Sequence, residues 1–306
     1  MKAILSISLN PTLQKTLVFS TMVPDTVNRA LLHRLDASGK GINVSRVLTQ
    51  LGKKCIHLTQ LGGTFRNIFL ELCLADGLTV EWVESNSPVR FCYTLLNREE
   101  KTATELIEEG EQVDDHTGDR LLGALEKLLP KISTMIISGS KAAGFSDTLM
   151  SEMVRRAKEK NIKVILDIRG KDLYECLKWK PDIIKPNLEE FVSTFAYHLA
   201  ARNETPVNEH SIKPVLTEIC RELQNKHGTV IILTRASNPI WYMENNDMLD
   251  FEIEPCEAMN NVGSGDAFTA GLAAALEDGK SLREAISEGA RCGRLNAALL
   301  RPGVIS

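Results

Sequence analysis

Thr134-Met135-Ile136-Ile137-Ser138, then Leu149, Met153, Val154 and Ala157 at helical spacing, then Val164-Ile165-Leu166-Asp167, form the stretch that decides the fold. A short unbroken apolar run, an amphipathic helix and a second short run are what strands buried on both faces and joined by crossover helices look like. The alternation continues in both directions. Leu121, Leu122, Leu125, Leu128 and Leu129 mark a helix before it, and residues 182–185 and 230–234 read as strands after it. Residues 2–9 read as a first strand that stops at Asn10-Pro11, rather than as a signal peptide. Val44, Val47, Leu48 and Leu51 mark a helix ending at Gly52, ahead of a strand at 56–61. The prediction is an α/β protein whose mostly parallel sheet is covered by helices on both faces.

Two segments break this rhythm. Residues 12–36 and 88–108 alternate as extended chain, for example Thr16-Leu17-Val18-Phe19 and Val89-Arg90-Phe91-Cys92-Tyr93-Thr94-Leu95-Leu96. They predict a small accessory sheet built from two excursions. The expected division is an α/β core of 1–9, 37–86 and 109–306 and a β-sheet lid of 10–36 and 87–108. The polar stretch 201–213 reads as a surface connection before a helix around Val215, Ile219 and Leu223.

The 306 residues are 43% hydrophobic and 25% charged with a formal net charge of −4, which gives no electrostatic reason to expect nucleic acid or an anionic membrane as a partner. No run approaches the roughly twenty apolar residues of a membrane span. Seven widely spaced cysteines without a C-x-x-C pair fit reduced thiols in a cytoplasmic protein, and six histidines show no metal-ligand spacing.

Open α/β sheets bind ligands at the carboxyl ends of their strands. Asn10, Gly62-Gly63, Ser138-Gly139-Ser140, Asp167, Lys185-Pro186-Asn187 and Thr234 all fall there. The most telling segment is Asn261-Val262-Gly263-Ser264-Gly265-Asp266-Ala267-Phe268, because the apolar spacing that follows makes Gly263 to Asp266 the first turn of a buried helix. The N–H groups of such a turn attract an anion, and a carboxylate beside them suits a general base better than a phosphate ligand. Asp is also a preferred N-terminal cap, so the position alone leaves a purely structural Asp266 open. A dinucleotide fingerprint would need glycine at Phe268, and a Walker loop would need Lys-Ser/Thr where Asp266-Ala267 stand.

Taken together, the chain resembles the PfkB family of ribokinase-like carbohydrate kinases over its full length, most closely the branch of 1-phosphofructokinases and tagatose-6-phosphate kinases. The motifs that carry the resemblance are Ser-Leu-Asn-Pro-Thr (8–12), Ala-Ser-Gly-Lys-Gly-Ile-Asn-Val-Ser-Arg-Val-Leu (37–48), Gln-Leu-Gly-Gly (60–63), Ile-Ser-Gly-Ser (137–140), Val-Ile-Leu-Asp (164–167), Ile-Lys-Pro-Asn-Leu-Glu-Glu (184–190) and Asn-Asn-Val-Gly-Ser-Gly-Asp-Ala-Phe (260–268). It implies a three-layer αβα sandwich with a small β-sheet lid and an ATP- and Mg²⁺-dependent transfer of phosphoryl to a sugar phosphate. In that picture Asp266 is the base, and Gly263, Ser264 and Gly265 form the anion hole. Gln14, Gly39, Lys40, Asn43, Arg90 and Ser138 bind the phosphosugar; Lys185, Asn187, Thr234, Arg235 and Asn296 bind ATP; Glu190 reaches the metal through water. A cytoplasmic homodimer paired through the lids, with no nucleic-acid or membrane partner, is the expected assembly.

The sequence departs from the family in four places. Gln14 stands where the family has a sugar-gripping Asp, and a neutral amide cannot supply a charged acceptor. Lys141-Ala142-Ala143 replaces Leu-Pro-x, which adds a cation near the site, and Ser38 replaces the first glycine of Gly-Gly-Lys-Gly. The glycine-rich nucleotide turn reads Thr234-Arg235-Ala236-Ser237-Asn238-Pro239, where the Arg235 side chain could reach phosphates that the backbone cannot approach. These changes leave open a kinase with a different acceptor, or a nucleotide- or sugar-phosphate-binding regulatory protein with little turnover.

Overall fold

The computed structural model describes residues 2–197 and 209–306. Its strands are β1 (Ala3–Leu9), β2 (Thr12–Phe19), β3 (Leu32–Ser38), β4 (Cys55–Leu61), β5 (Thr79–Glu84), β6 (Arg90–Asn97), β7 (Thr102–Ile107), β8 (Ile132–Lys141), β9 (Lys163–Asp167), β10 (Ile183–Ile184), β11 (Val230–Arg235), β12 (Asn238–Glu244) and β13 (Asp247–Phe251). The helices are α1 (Lys40–Gln50), α2 (Arg66–Ala75), α3 (Thr117–Leu128), α4 (Leu149–Glu159), α5 (Gly170–Cys176), α6 (Leu188–Phe195), α7 (Glu209–His227), α8 (Ser264–Glu277) and α9 (Leu282–Ala297).

Nine strands form one sheet in the order β13-β12-β11-β10-β9-β8-β1-β4-β5. The pairs from β5 through β11 are parallel, and β12 and β13 extend the edge as an antiparallel hairpin. The twofold period of each strand sorts its side chains between two cores. Leu5, Ile7, Met135, Ile137, Val164, Leu166 and Ile231 pack under α3 to α7, while Ile4, Ile136, Ile165 and Ile232 pack under α1, α8 and α9. The expected helix-covered parallel sheet is therefore observed.

The two excursions build a separate four-stranded sheet in the order β3-β2-β6-β7. Leu13 and Ala37 from this sheet, with Val89 just before β6, join Phe69 and Cys73 of α2 in a third apolar cluster, which fixes the base of the small sheet to the core.

Three local expectations change. The turn after β11 leads straight into an antiparallel strand, so it closes the β11–β12 hairpin, where no strand was expected. Helix α7 begins at Glu209, inside the stretch expected to be a surface connection, and residues 201–208 of that stretch lie outside the described residues. Strand β10 is only two residues long because the chain turns at Lys185-Pro186, where proline has no N–H to continue the ladder.

Candidate active site

The carboxyl ends of β1, β8, β9, β10 and β11 meet the N-termini of α1 and α8, and close packing holds α1 there. Ser6 Oγ donates to Gly41 O at 2.9 Å, and a Cβ on Gly41 would lie 2.8 Å from His57 Cε1 and 2.9 Å from Ser8 Cβ. Only a residue without a side chain lets the first turn of α1 rest on β1 and β4. His57, fully buried beside Ser8, is pushed down to about 3 by burial and stays neutral. This seat carries Gly39, Lys40 and Asn43 to the strand ends.

Gly263 takes φ 84°, the left-handed conformation that glycine adopts at least cost, and so turns the chain into α8. The first helical hydrogen bond runs from Ala267 N to Gly263 O at 2.8 Å, so the N–H groups of Gly265 and Asp266 precede it and have no intrahelical acceptor. Asp266 is 5% exposed and accepts from Asn43 Nδ2 at 2.8 Å. Burial pushes its carboxyl up to about 6, with Asp167 adding to the rise and Lys40, Asn43 and Lys185 opposing it. A buried carboxylate of that basicity, next to unbonded N–H groups, can take a proton from a hydroxyl while the amides receive negative charge.

Around it lies an alternation of charges, with Asp167 and Lys185 buried and Lys40 and Glu190 half-buried. Lys185 Nζ stands 3.3 Å from Asp167 Oδ2, and Thr269 Oγ1 donates to the same oxygen at 3.1 Å. Lys40 Nζ lies 3.7 Å from Asp167 Oδ1 and 3.3 Å from Glu190 Oε1. Burial alone would raise the Asp167 carboxyl, but Lys185, Lys40 and Thr269 outweigh it and hold the group below the usual range. The Lys40 ammonium is raised, chiefly by Asp167 against the opposing effect of burial, and stays charged. A Cβ on Gly265 would sit 3.8 Å from Lys185 Nζ, so this cation stands beside the α8 N-terminus.

Comparison with known proteins shows which family the chain belongs to. Residues 14–304 match the pfkB family of carbohydrate kinases. The chain belongs to that family. It is 28% identical over 305 residues to a tagatose-6-phosphate kinase of Staphylococcus epidermidis, covering 99% of this chain and 94% of the relative. Among solved structures it superposes on a possible 1-phosphofructokinase from Thermotoga maritima with a TM-score of 0.85 at 21% identity, covering 98% of this chain and 93% of the other. The ribokinase of Thermotoga maritima gives a TM-score of 0.73 at 16% identity, covering 99% and 95%, so the fold is ribokinase-like. As a pfkB kinase the protein is a phosphotransferase acting on a sugar hydroxyl.

Measured against this chemistry, the residues singled out from the sequence of this pfkB kinase divide. Asp266, Gly263, Ser264, Gly265, Gly39, Lys40, Asn43 and Lys185 converge, while Asn187 is bridged to Thr234 at the end of β11. Asn187 and Glu190 form a capping box with each other: Glu190 N donates to Asn187 Oδ1 at 2.7 Å, and Glu190 Oε2 accepts from Asn187 N at 3.0 Å. The Asn187 amide thus caps α6, leaving Glu190 Oε1 to face Lys40. Lys40 turns toward Asp167 and Glu190 rather than standing free for a sugar phosphate, because two desolvated carboxylates need a counter-charge. Gln14 is 4% exposed and donates to Thr94 Oγ1 at 2.7 Å. Arg90 Nη1 donates to Glu108 O at 2.6 Å, and Ser138 is fully buried with a hydroxyl that has no hydrogen-bond partner.

Three of the remaining polar side chains are engaged within the protein. Asn296 is fully buried: Nδ2 donates to Val262 O at 2.9 Å and Ser264 Oγ at 3.2 Å, and Oδ1 accepts from Gly303 N at 2.7 Å. It braces the glycine turn from behind. The Arg235 guanidinium stacks 3.8 Å from the centroid of Trp241 and donates to Pro239 O at 2.8 Å, so these two contacts lie along the hairpin. Lys141 pairs with Asp172 and lies 3.7 Å from Asp147, which neutralises the cation expected near the site. Asp167 was visible only as an acid at a strand end; its link to two lysines appears only when β9, β10 and α1 are assembled.

Proposed function

We propose that this pfkB kinase phosphorylates a ketohexose phosphate with the γ-phosphoryl group of ATP, and that Asp266 is the base. The observation that carries this reading is the buried Asp266 carboxylate, raised to about 6, at the unbonded N-terminus of α8. A group with that proton affinity is ionised at neutral pH yet basic enough to accept the proton of an attacking hydroxyl. The N–H groups of Gly265 and Asp266 then face the negative charge on the transferred phosphoryl group, with Lys185 and Lys40 flanking it. Arg90, held by a backbone carbonyl, is the cation best suited to the phosphate that the sugar already carries. The names of a tagatose-6-phosphate kinase and a possible 1-phosphofructokinase among similar proteins support an acceptor of this class.

Magnesium fits the donor set. No cluster of three or more His, Cys, Asp or Glu side chains among the described residues could hold an ion by itself. Glu190 and Asp167 instead offer hard oxygens on either side of Lys40, which suits an ion that keeps waters and takes its other ligands from phosphates. Glu190 would hold it through water, and the ion would neutralise charge on the nucleotide phosphates.

The small sheet suits a lid over the sugar, with 10–36 and 87–108 as its extent. Val27, Leu31 and Ile107 on it are 80%, 62% and 57% exposed, and a second copy would cover them, which supports a lid-paired homodimer. No helix of the described residues is long and apolar enough to cross a membrane, and free cysteines suit a reducing cytoplasm. A coupled ADP-release assay over fructose 1-phosphate, fructose 6-phosphate, tagatose 6-phosphate, fructose and ribose tests the acceptor. A phosphorylated ketohexose should be preferred, and Asp266→Asn should lower kcat at least about 10³-fold with ATP still bound. Unchanged turnover in that variant would sink the mechanism.

A further inference from the structure

The base has one neutral hydrogen-bond donor among its contacts, Asn43 Nδ2, and what points that donor at it lies outside the cleft. Asn43 is 3% exposed, and its Oδ1 accepts from Arg46 Nη1 at 3.1 Å and from Ser38 Oγ at 3.3 Å. An asparagine amide is nearly symmetric in shape, so sterics alone would not choose between Oδ1 and Nδ2 facing the carboxylate. Arginine has no acceptor, and only an oxygen can face it. The Arg46 guanidinium is itself immobile: Nε donates to Asp76 Oδ2 at 2.9 Å, Nη1 also to Pro302 O at 2.9 Å, and Nη2 to Ala37 O at 2.5 Å. Arg301 completes the frame by pairing with Asp76 and Asp36.

We infer that Arg46 is a positioning residue for phosphoryl transfer: its guanidinium, anchored at three other points, fixes the Asn43 amide with Nδ2 toward Asp266. This rests on Asp266 being the base. Arg46 touches no reacting atom and acts through Asn43. Were the amide to turn over, Oδ1 would confront Asp266, a carboxylate that already shares the site with Asp167 from β9, Lys185 after β10 and Lys40 from α1. Lone pair against carboxylate would raise the proton affinity of the base and loosen its alignment with the hydroxyl it serves.

The test is Arg46→Lys, which keeps the charge and loses the planar fork. We expect kcat to fall about 10- to 100-fold, with KM for ATP changed less than about twofold. The acid limb of kcat/KM should move to higher pH. In an Asn43→Ala background the same substitution should change kcat less than about threefold, because the residue through which it acts is gone. Asp76→Asn, isosteric and at the end of α2, keeps the shape and weakens one anchor; it should move the acid limb the same way by less, and serves if Arg46→Lys does not fold. An acid limb that stays put in every folded variant overturns the inference. So does an Arg46→Lys loss of equal size with and without Asn43. Asp266→Asn measured alongside separates the failures: full turnover there removes the base itself, whereas an inactive Asp266→Asn with an unmoved limb removes only the role of Arg46.

Discussion

Replacing Asp266 by asparagine should stabilise the protein, by an amount that grows with pH. Burial lifts the Asp266 carboxyl from its ordinary 3.8 to about 6. A carboxylate whose folded pKa lies above its unfolded value favours folding fully only below the unfolded pKa, and loses that contribution as pH rises through the folded one. Linkage then puts the cost of ionising Asp266 in the folded state at about 1 kcal/mol at pH 4.5 and about 3 kcal/mol at pH 7.5. Asparagine has the same shape, stays neutral, and can still accept from Asn43 Nδ2. The variant minus wild-type stability should therefore rise by about 2 kcal/mol between these pH values, measured from urea unfolding midpoints at constant slope. The other carboxylates are common to both proteins and largely cancel in the difference. A difference that is flat with pH, or falls, would refute the claim that the fold holds the Asp266 carboxylate at an energetic cost.

The same proton affinity sets activity: kcat/KM should fall tenfold per pH unit below an acid limb near 6, and a limb near 4 would mean that Asp266 is not desolvated as described. Gly41→Ala places a methyl 2.8 Å from His57 Cε1, about 0.6 Å inside an ordinary 3.4 Å contact. Overpacking of about 1–3 kcal/mol should exceed the helix gain of about 0.5–1 kcal/mol, and the displaced Lys40 and Asn43 should lower kcat by up to about 100-fold; wild-type Tm and kcat would contradict this seat for α1. Ala236 holds φ 51° at the tip of the β11–β12 hairpin, so Ala236→Gly should relieve about 1 kcal/mol of left-handed strain, and an unchanged or lower Tm would count against it.

Resemblance to the family was legible from local patterns. The strand at 134–138 and the helix at 149–157 were readable because burial imposes periods of 2 and 3.6 on any chain. The β11–β12 hairpin was not, because its turn carries Ala236 at positive φ in place of the glycine that usually signals one. Within the site, Gly263 to Asp266 could be located from the glycines and the helical spacing that follows. What those residues touch could not. Asn43 and Asp266 meet across 223 positions, and Arg46 and Pro302 across 256.

The sequence by itself determined the sheet-and-helix order, the position of an acid at a glycine-rich helix start, and the family to which these patterns point. Tertiary structure alone decided what each polar group touches: Lys40 goes to two carboxylates, Asn296 to the back of the glycine turn, Arg235 to the face of Trp241, and Arg46 to the amide that faces Asp266. The physical reason is that periodicity is a property of neighbouring residues. Desolvation and charge pairing depend instead on which distant segments come together, and in a buried site those determine how strongly a carboxylate holds its proton.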